Sequence, residues 1–208
     1  MEKKKHEKKP KQPKKLPEKL VKLVIGIIGT IASGKGTVTS YLVKKHKFKR
    51  IVMGNLVRAI ARSEGIAPTR ENLHNLQARY RAKDPGYFIK KAIAKIKASK
   101  HNKWVVDGLR NPEDAHLLKK AFNAKIIFVD APIALRWERA RKRRRGKEKE
   151  ISLDEFKKIE NEENKIFHFN ITKRYADFKL MNNTTKEDLW KNTEKILKKL
   201  KHQSIRLD

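Results

Sequence analysis

The chain has 208 residues, of which 38% are hydrophobic and 37% are charged, and it contains no cysteine. This length supports one domain with a substantial core, the missing cysteines exclude disulfides and thiolate metal sites, and no apolar run is long enough to span a membrane. The 54 Lys and Arg residues outnumber the 23 Asp and Glu residues, which gives a formal net charge of +31.

A charge of this sign attracts nucleotides, RNA and other polyanions, with an affinity that falls as salt is added. A lysine-rich proteome, in which solvated faces carry lysine by default, would produce the same excess. Because no apolar run could span a membrane, we expect a soluble cytoplasmic protein without membrane contact. The charge leaves open a nonspecific contact with RNA or another polyanion through the basic surface and the tail.

Residues 1–21 are predicted to be a disordered, lysine-rich tail. Residues 1–22 contain ten lysines and three glutamates, and Pro10, Pro13 and Pro17 would interrupt any helix. The segment lacks the long apolar core of a secretory signal. Residues 22–208 then form the folded domain, which itself remains strongly basic.

The first predicted element is a strand at residues 23–28, followed by Gly-Thr-Ile-Ala-Ser-Gly-Lys-Gly-Thr at residues 29–37. A glycine, four residues and then Gly-Lys is the spacing at which backbone N–H groups surround a polyphosphate. Val38, Tyr41 and Leu42 follow at helical spacing, so the helix would point the positive end of its dipole at the anion. The alternative is a glycine turn that only connects a strand to a helix. The predicted ATP-binding residues are Gly29, Thr30, Ala32, Ser33, Gly34, Lys35, Gly36, Thr37 and Val38.

Four further strand-like runs follow, at residues 50–53, 103–107, 125–130 and 177–181. Continuous apolar runs separated by helices indicate a parallel sheet that is buried on both faces. The prediction is an α/β fold of the P-loop NTPase type, with three α/β/α layers and a five-stranded parallel sheet. Ligands of such sheets bind beyond the carboxyl ends of the strands. A helical insertion at about 54–100 and a short arginine-rich lid at about 139–155 fit the sheet poorly and are predicted to be subdomains.

The Gly-Lys-Gly-Thr form at residues 34–37 resembles adenylate kinase and the related nucleoside monophosphate kinases. The resemblance implies that Thr37 lies on a phosphate and that Mg²⁺ is held mostly through water. Those kinases usually carry glycine where this chain has Ala32. If that position requires a positive φ, alanine costs about 1 kcal/mol of strain.

Two segments resemble the acceptor-binding parts of the same kinases. Gly54-Asn55-Leu56-Val57-Arg58 is similar to their Gly-Asp-Xaa-Leu-Arg segment, with Asn55 in place of the acid, and Arg58 would hold the acceptor phosphate. Asp107-Gly108-Leu109-Arg110-Asn111-Pro112 resembles their Asp-Gly-Phe-Pro-Arg segment. It is closer still to a segment of an archaeal family of predicted nucleotide kinases related to dephospho-coenzyme A kinase. Arg110 would be a second phosphate clamp, and Asp107 would orient water bound to Mg²⁺. Alternatively, Arg58 is a solvated helix residue and Asp107 caps a turn.

The resemblance also places two lid arginines, counted from Pro132, at Arg139 and Arg143, where they would neutralise charge on the transferring group. A charge run of this kind is also typical of a solvated face or a nucleic-acid contact. Residues 152–164, where adenylate kinases bring further arginines, offer only Lys157 and Lys158. In the resembling kinases the loop after the last strand packs near the adenine, so Asn183 or Thr184 would lie there. Alternatively, one of these two residues is a plain helix N-cap.

The leading hypothesis is therefore an ATP- and Mg²⁺-dependent kinase whose acceptor is a nucleoside monophosphate. Lys35, Asp107, Arg139 and Arg143 would be catalytic, and Asn55, Arg58 and Arg110 would bind the acceptor. A dephospho-coenzyme A kinase is the nearest alternative, and it would need a general base for a ribose hydroxyl. An alternative of another class is a nucleic-acid-associated P-loop ATPase or nucleotide switch.

Overall fold

The computed structural model describes residues 22–143 and 151–204, with side chains up to Leu200. The predicted tail at 1–21 and the middle of the predicted lid, residues 144–150, lie outside the described residues. Five parallel strands form one sheet in the order β2-β3-β1-β4-β5. The strands are β1 (Leu23–Gly29), β2 (Lys49–Val52), β3 (Lys103–Asp107), β4 (Lys125–Asp130) and β5 (Phe178–Met181).

Helices connect the strands throughout the described ranges. They are α1 (Lys35–His46), α2 (Met53–Ser63), α3 (Arg70–Lys83), α4 (Tyr87–Ala98), α5 (Pro112–Phe122), α6 (Ile133–Arg143), α7 (Leu153–Phe167), α8 (Phe169–Thr172) and α9 (Lys186–Ser204). The breaks between α2, α3 and α4 fall at Gly65 to Pro68 and at Asp84 to Gly86, both of which contain glycine and proline. None of the helices in the described ranges is both long and apolar enough to cross a bilayer.

Alternate residues of the strands face two separate cores. Val24 and Ile28 of β1 pack in the core that contains Phe88 of α4, whereas Ile25 and Ile27 pack in the core that contains Leu42 of α1. Both faces of the sheet are therefore covered by helices, and burying each of these side chains contributes about 2 kcal/mol. The predicted three-layer α/β fold with five parallel strands is confirmed.

The second strand differs from its prediction at one end. Residue Met53 was predicted to close the strand, but it begins α2. Met53, Val57 and Ala61 are all buried and are spaced four residues apart, so Met53 belongs to the apolar face of the helix. The strand therefore ends at Val52, and Asn55 lies within the first turns of α2.

Candidate functional site

The phosphate-binding loop leaves the carboxyl end of the central strand β1 and leads into α1. Gly34 precedes the helix with φ 101°, and α1 has no acidic residue in its first turn. The first N–H groups of a helix lack intrahelical partners and carry the positive end of its dipole. The loop and the start of α1 therefore form a place suited to a polyphosphate.

Two residues of this loop have left-handed backbone conformations. Ala32 has φ 57°, so the position that carries glycine in the resembling kinases does require a positive φ, and alanine introduces strain of about 1 kcal/mol. A Cβ atom on Gly34 would lie 2.1 Å from Nδ2 of Asn182. This amide is buried and donates to the carbonyl oxygen of Ser33 at 2.8 Å. Asn182, which follows the carboxyl end of β5, therefore holds the phosphate-binding loop in place.

Lys35 lies at the centre of the site. Its Nζ donates to the carbonyl oxygen of Thr30 at 2.6 Å. Burial, together with the nearby positive charge of Arg110, lowers the pKa of Lys35 to about 8, although the charges of Asp107 and Glu163 oppose the change. A bound anion would raise the pKa of Lys35 again and so keep its ammonium group protonated.

We expect the affinity for ATP to fall as pH rises above about 8. A bound polyphosphate raises the pKa of Lys35, so binding above the free pKa requires uptake of a proton, at a cost of up to about tenfold in affinity per pH unit. Calorimetric titrations between about pH 7 and 9.5 would measure this. Lys35→Met should bind more weakly and show a flat profile over that range. A flat profile in the wild type would contradict the prediction.

Asp107 ends β3 next to the loop and is 8% exposed. Burial raises the pKa of its carboxyl group, while the charge of Lys35 and the Thr39 hydroxyl favour the ionised form. In the described part of the chain, the buried hydroxyls of Thr30 and Ser33 have no hydrogen-bond partner. Unpaired buried hydroxyls beside a carboxylate and a lysine are the polar groups that a phosphate and its hydrated metal would satisfy.

These residues fit Mg²⁺ held mainly by phosphate and water. Within residues 22–143 and 151–204, no group of three or more His, Cys, Asp or Glu side chains could by itself hold a metal ion. Mg²⁺ commonly binds through one carboxylate plus substrate phosphates and keeps several waters. Asp107 is the carboxylate suited to that role, as the sequence predicts.

Arg110, three residues after the end of β3, lies near Lys35. Its Nη1 is 3.3 Å from Oε1 of Glu163 in α7, and its guanidinium lies over the ring of Phe167 at 5.2 Å. Arg70 of α3 binds the same Glu163 oxygen at 2.5 Å. His74 packs edge-on against Phe167, and burial lowers the pKa of this histidine. Arg110, Arg70, His74, Glu163 and Phe167 together form what we call the arginine cluster.

Glu163 is the anion of the arginine cluster, and its side chain is only 15% exposed. Burial alone would raise the pKa of Glu163, but the Arg110 and Arg70 guanidiniums outweigh it and hold that pKa below the usual range. The Glu163 carboxylate therefore stays ionised at neutral pH and lies between the guanidinium groups of Arg110 and Arg70.

The other predicted acceptor residues lie together on α2. Nη2 of Arg58 donates to Oδ1 of Asn55 at 2.7 Å, and both side chains are exposed. Arg110 instead pairs with Glu163. The two arginines predicted to hold one phosphate therefore have separate partners, and their shared role stays a prediction.

The two predicted lid arginines are in different surroundings. Arg139 donates to the carbonyl oxygen of Asn182 at 2.9 Å, and Asn182 is the residue whose side chain holds the phosphate loop. Arg143 is at the end of α6, exposed, and its charge lowers the pKa of Lys35. Arg136 of the same helix is buried between Ala131 and Glu160, so it is a structural residue. Arg141, in the same helix, lies over the ring of Trp137 at 4.8 Å, and the basic residues at 144–150 lie outside the described residues.

Several site residues were missed by the sequence reasoning. Arg70, His74, Glu163 and Phe167 belong to no recognised motif, and only the packing of α3 and α7 brings them to Arg110. The prediction of Asn183 or Thr184 as an N-cap is displaced by one residue, because the N–H of Asp188 donates to Oγ1 of Thr185. Asn182, which holds the loop, is the first residue of the Asn-Asn pair at the end of β5.

Comparison with known proteins agrees with this architecture. A family model described as an AAA domain matches residues 28–160. A UPF0200 protein of Sulfurisphaera tokodaii is 32% identical over 180 residues, covering 85% of this chain and 97% of that protein. A UPF0200/UPF0201 protein of Archaeoglobus fulgidus is 31% identical, and the match covers 85% of this chain but 55% of that longer protein.

Solved structures share the fold at low sequence identity. Shikimate kinase from Acinetobacter baumannii, in complex with shikimate, superposes with a TM-score of 0.59 at 12% identity, covering 88% of this chain and 96% of that one. A gluconokinase from Sinorhizobium meliloti gives a TM-score of 0.54 at 14% identity, covering 89% and 98%. These likenesses establish a P-loop kinase-like fold.

Proposed function

This chain belongs to the UPF0200 family and to the AAA domain family, and on that premise we propose that it is a nucleotide kinase dependent on ATP and Mg²⁺. It would transfer the γ-phosphoryl group of ATP to the phosphate of a nucleoside monophosphate. The observation that carries the proposal is that Arg110 lies near enough to the buried Lys35 to lower its pKa, with Asp107 at the end of β3 beside them. Two neighbouring cations suit two phosphate groups brought together for transfer.

The residues divide the work between donor and acceptor. The loop and Lys35 bind the β- and γ-phosphates of ATP, and Arg110, with Arg58, aims the acceptor phosphate. An oxygen of the acceptor phosphate attacks the γ-phosphorus, the bond to the β-phosphate oxygen breaks, and ADP leaves. Arg139 and Arg143 neutralise charge that develops on the transferring group, which is the main catalytic contribution a protein makes in this chemistry.

Asp107 is the residue that would hold Mg²⁺, through water. When bound, the ion neutralises phosphate charge. The buried carboxylate also keeps Lys35 charged, since its negative charge raises the pKa of that lysine.

We expect Glu163→Gln to lower the KM for the acceptor by about fivefold. The neutral amide frees Arg110 and Arg70, so an anionic acceptor no longer competes with an internal carboxylate. The free energy of unfolding should fall by about 1 kcal/mol, because the ion pairs are partly exposed. Initial-rate kinetics and urea unfolding would measure both quantities. Glu162→Gln, an exposed neighbour on α7, is the matched control, and a raised KM in E163Q would instead indicate a direct contact of Glu163 with the substrate.

A hydroxyl acceptor, as in dephospho-coenzyme A kinase, is the second candidate. The observation that favours it is the raised pKa of Asp107, because a buried carboxylate near the transferred group can act as a general base. In that version, Arg110 would bind an anionic group of the acceptor remote from the attacking hydroxyl.

The test is an ADP-release assay with ATP and Mg²⁺ against AMP, CMP, dCMP, GMP, UMP, dTMP and dephospho-coenzyme A, with a control lacking acceptor. Release stimulated by one monophosphate, and lost in Arg110→Ala, would support the proposal. Release stimulated only by dephospho-coenzyme A would support the hydroxyl-acceptor version. Release without any acceptor would favour an ATPase or nucleotide switch, and no release would reject the kinase.

A further inference from the structure

The amino ends of the strands lie on the side of the sheet opposite the phosphate loop, and we refer to this side as the amino edge. Because the strands are parallel, each helix that precedes a strand ends where that strand begins. α1 ends at His46 before β2, α4 ends at Ala98 before β3, and α5 ends at Phe122 before β4. We call the surface built from these helix ends and strand starts the amino-edge face. It comprises Lys22 and residues 44–50, 95–103, 119–125 and 195–199.

The connecting segments of the amino-edge face contact one another. Nζ of Lys22 donates to the carbonyl oxygens of Ser99 and His101, and the ring of His101 is 3.0 Å from the carbonyl oxygen of Lys47. Glu194 of α9 binds Tyr41 and His46, which brings the second half of α9 to the end of α1. The segments therefore form one continuous surface.

This surface is strongly and uniformly basic. Residues 44–50, 95–103 and 119–125 contain no acidic residue. The two nearby acids, Glu194 and Asp177, are each engaged in ion pairs. Thirteen cationic side chains on the face are exposed, namely Lys44, Lys45, Lys47, Lys49, Arg50, Lys95, Lys97, Lys100, Lys103, Lys120, Lys195, Lys198 and Lys199.

Helix dipoles do not account for this concentration. Lysine in the last turn of a helix is favoured by the negative end of the dipole, which explains Lys44, Lys45 and Lys97. Lys49 and Lys103 begin strands, and Lys100 lies between α4 and β3, so the dipole does not favour lysine at those positions. The clustering of like charges raises the energy of the free protein, and a polyanion laid across the face would lower it.

The composition of the face indicates which polyanion fits. Its large rings are in the core or packed against it: Trp104 is 3% exposed, Phe48 is 4% exposed, and Phe122 is partly buried against the core. The exposed large apolar side chains of the described residues, Ile166, Ile171 and Met181, lie on other elements. A face without exposed rings offers no stacking platform for bases, and one without apolar side chains offers nothing to insert into lipid.

We propose that the amino-edge face binds the phosphate backbone of RNA, without sequence preference and separately from the nucleotide site. Regularly spaced phosphates match a broad field of lysines that make point-charge contacts. The described part of the chain begins at Lys22, on this same face, and the preceding residues 1–21 are rich in lysine. The carboxyl edge of the sheet, with the phosphate loop, stays open to ATP.

The test uses the full-length chain with Lys47, Lys49, Lys97 and Lys103 all replaced by glutamine. The matched control replaces Lys83, Lys158, Lys165 and Lys191, four exposed lysines on α3, α7 and the first half of α9. Binding of a fluorescent 20-nucleotide RNA is measured by anisotropy from about 50 to 200 mM salt. We expect the face variant to bind about thirtyfold more weakly at low salt, with a salt slope smaller by about 3, since each single-strand phosphate contact adds about 0.7. The control should change by less than about threefold.

Four outcomes would overturn the proposal. Equal losses in both variants would show that total charge matters and the face does not, and unchanged binding in the face variant would place the RNA elsewhere. Displacement of RNA by saturating ATP would place it in the nucleotide site. If the face variant lost its binding to vesicles that contain anionic phospholipid but kept its affinity for RNA, the partner of the face would be a membrane surface. The kinase assay on the face variant is a separate readout, which we expect to be unchanged, so failure of the kinase proposal leaves this test valid.

Discussion

Gly34→Ala is expected to lower the free energy of unfolding by about 3 kcal/mol. At φ 101° an L side chain is strained, and its Cβ would lie 2.1 Å from the amide nitrogen of Asn182. Left-handed backbone costs about 1–2 kcal/mol for a residue other than glycine, and displacing a buried amide that donates to Ser33 adds about 1–3 kcal/mol. Because the loop must move, ATP affinity should fall at least about tenfold. Urea unfolding and calorimetric titration with ATP would measure these effects.

Gly36→Ala is the matched control for stability. Gly36 is two residues along the chain, within α1, and a Cβ there would meet no atom within 4 Å. Alanine is the better helix former, so the free energy of unfolding should stay the same or rise by up to about 1 kcal/mol. Equal destabilisation by G34A and G36A would show that Asn182 does not hold the loop as the structure has it.

Arg110→Ala is expected to raise the KM for a phosphorylated acceptor by about a hundredfold. A guanidinium that binds a phosphate through two charge-assisted hydrogen bonds contributes about 3 kcal/mol, which corresponds to this factor. Arg110→Lys keeps the charge but loses the paired geometry, so its KM should rise by about tenfold. Arg79→Ala, which removes an exposed arginine paired with Glu64, should leave the KM unchanged.

The same variant has a second readout that a purely structural role would not move. The charge of Arg110 lowers the pKa of Lys35, so removing it should raise that pKa and shift the fall in ATP affinity to higher pH. An unshifted pH profile together with an unchanged KM would remove Arg110 from the site.

Local sequence signals were sufficient for most of the fold. Each strand is an apolar run bounded by turn residues, and all five begin and end within one residue of the predicted limits. One of these small differences changes the type of element: Met53 was predicted to be a strand residue next to Ile51 and Val52, but its burial with Val57 makes it the first residue of α2. A short apolar run has no periodicity of its own, so only the packing could assign its last residue.

The functional site divides in the same way. Lys35, Asp107 and Arg110 lie next to strand ends in the sequence, so their convergence follows from the rule that parallel strands end at one edge. Glu163, Arg70 and His74 are on helices whose sequences resemble ordinary solvated surfaces. Arg81 of α3 binds Asp114 of α5 through two hydrogen bonds of 3.0 and 2.8 Å, and such long-range contacts have no local signature.

The sequence by itself determined the phosphate loop, the parallel three-layer fold and the basic charge, because each depends on residue spacing or composition. The resemblance to kinases that carry glycine at this position raised the condition of a positive φ at Ala32, and the structure gives φ 57°. Only the tertiary structure decided which acid pairs with Arg110 and Arg70, which amide holds the phosphate-binding loop and where the exposed lysines gather. These depend on contacts between residues distant in sequence, such as the pair Arg110 and Glu163, and no spacing along the chain encodes the packing of one helix on another.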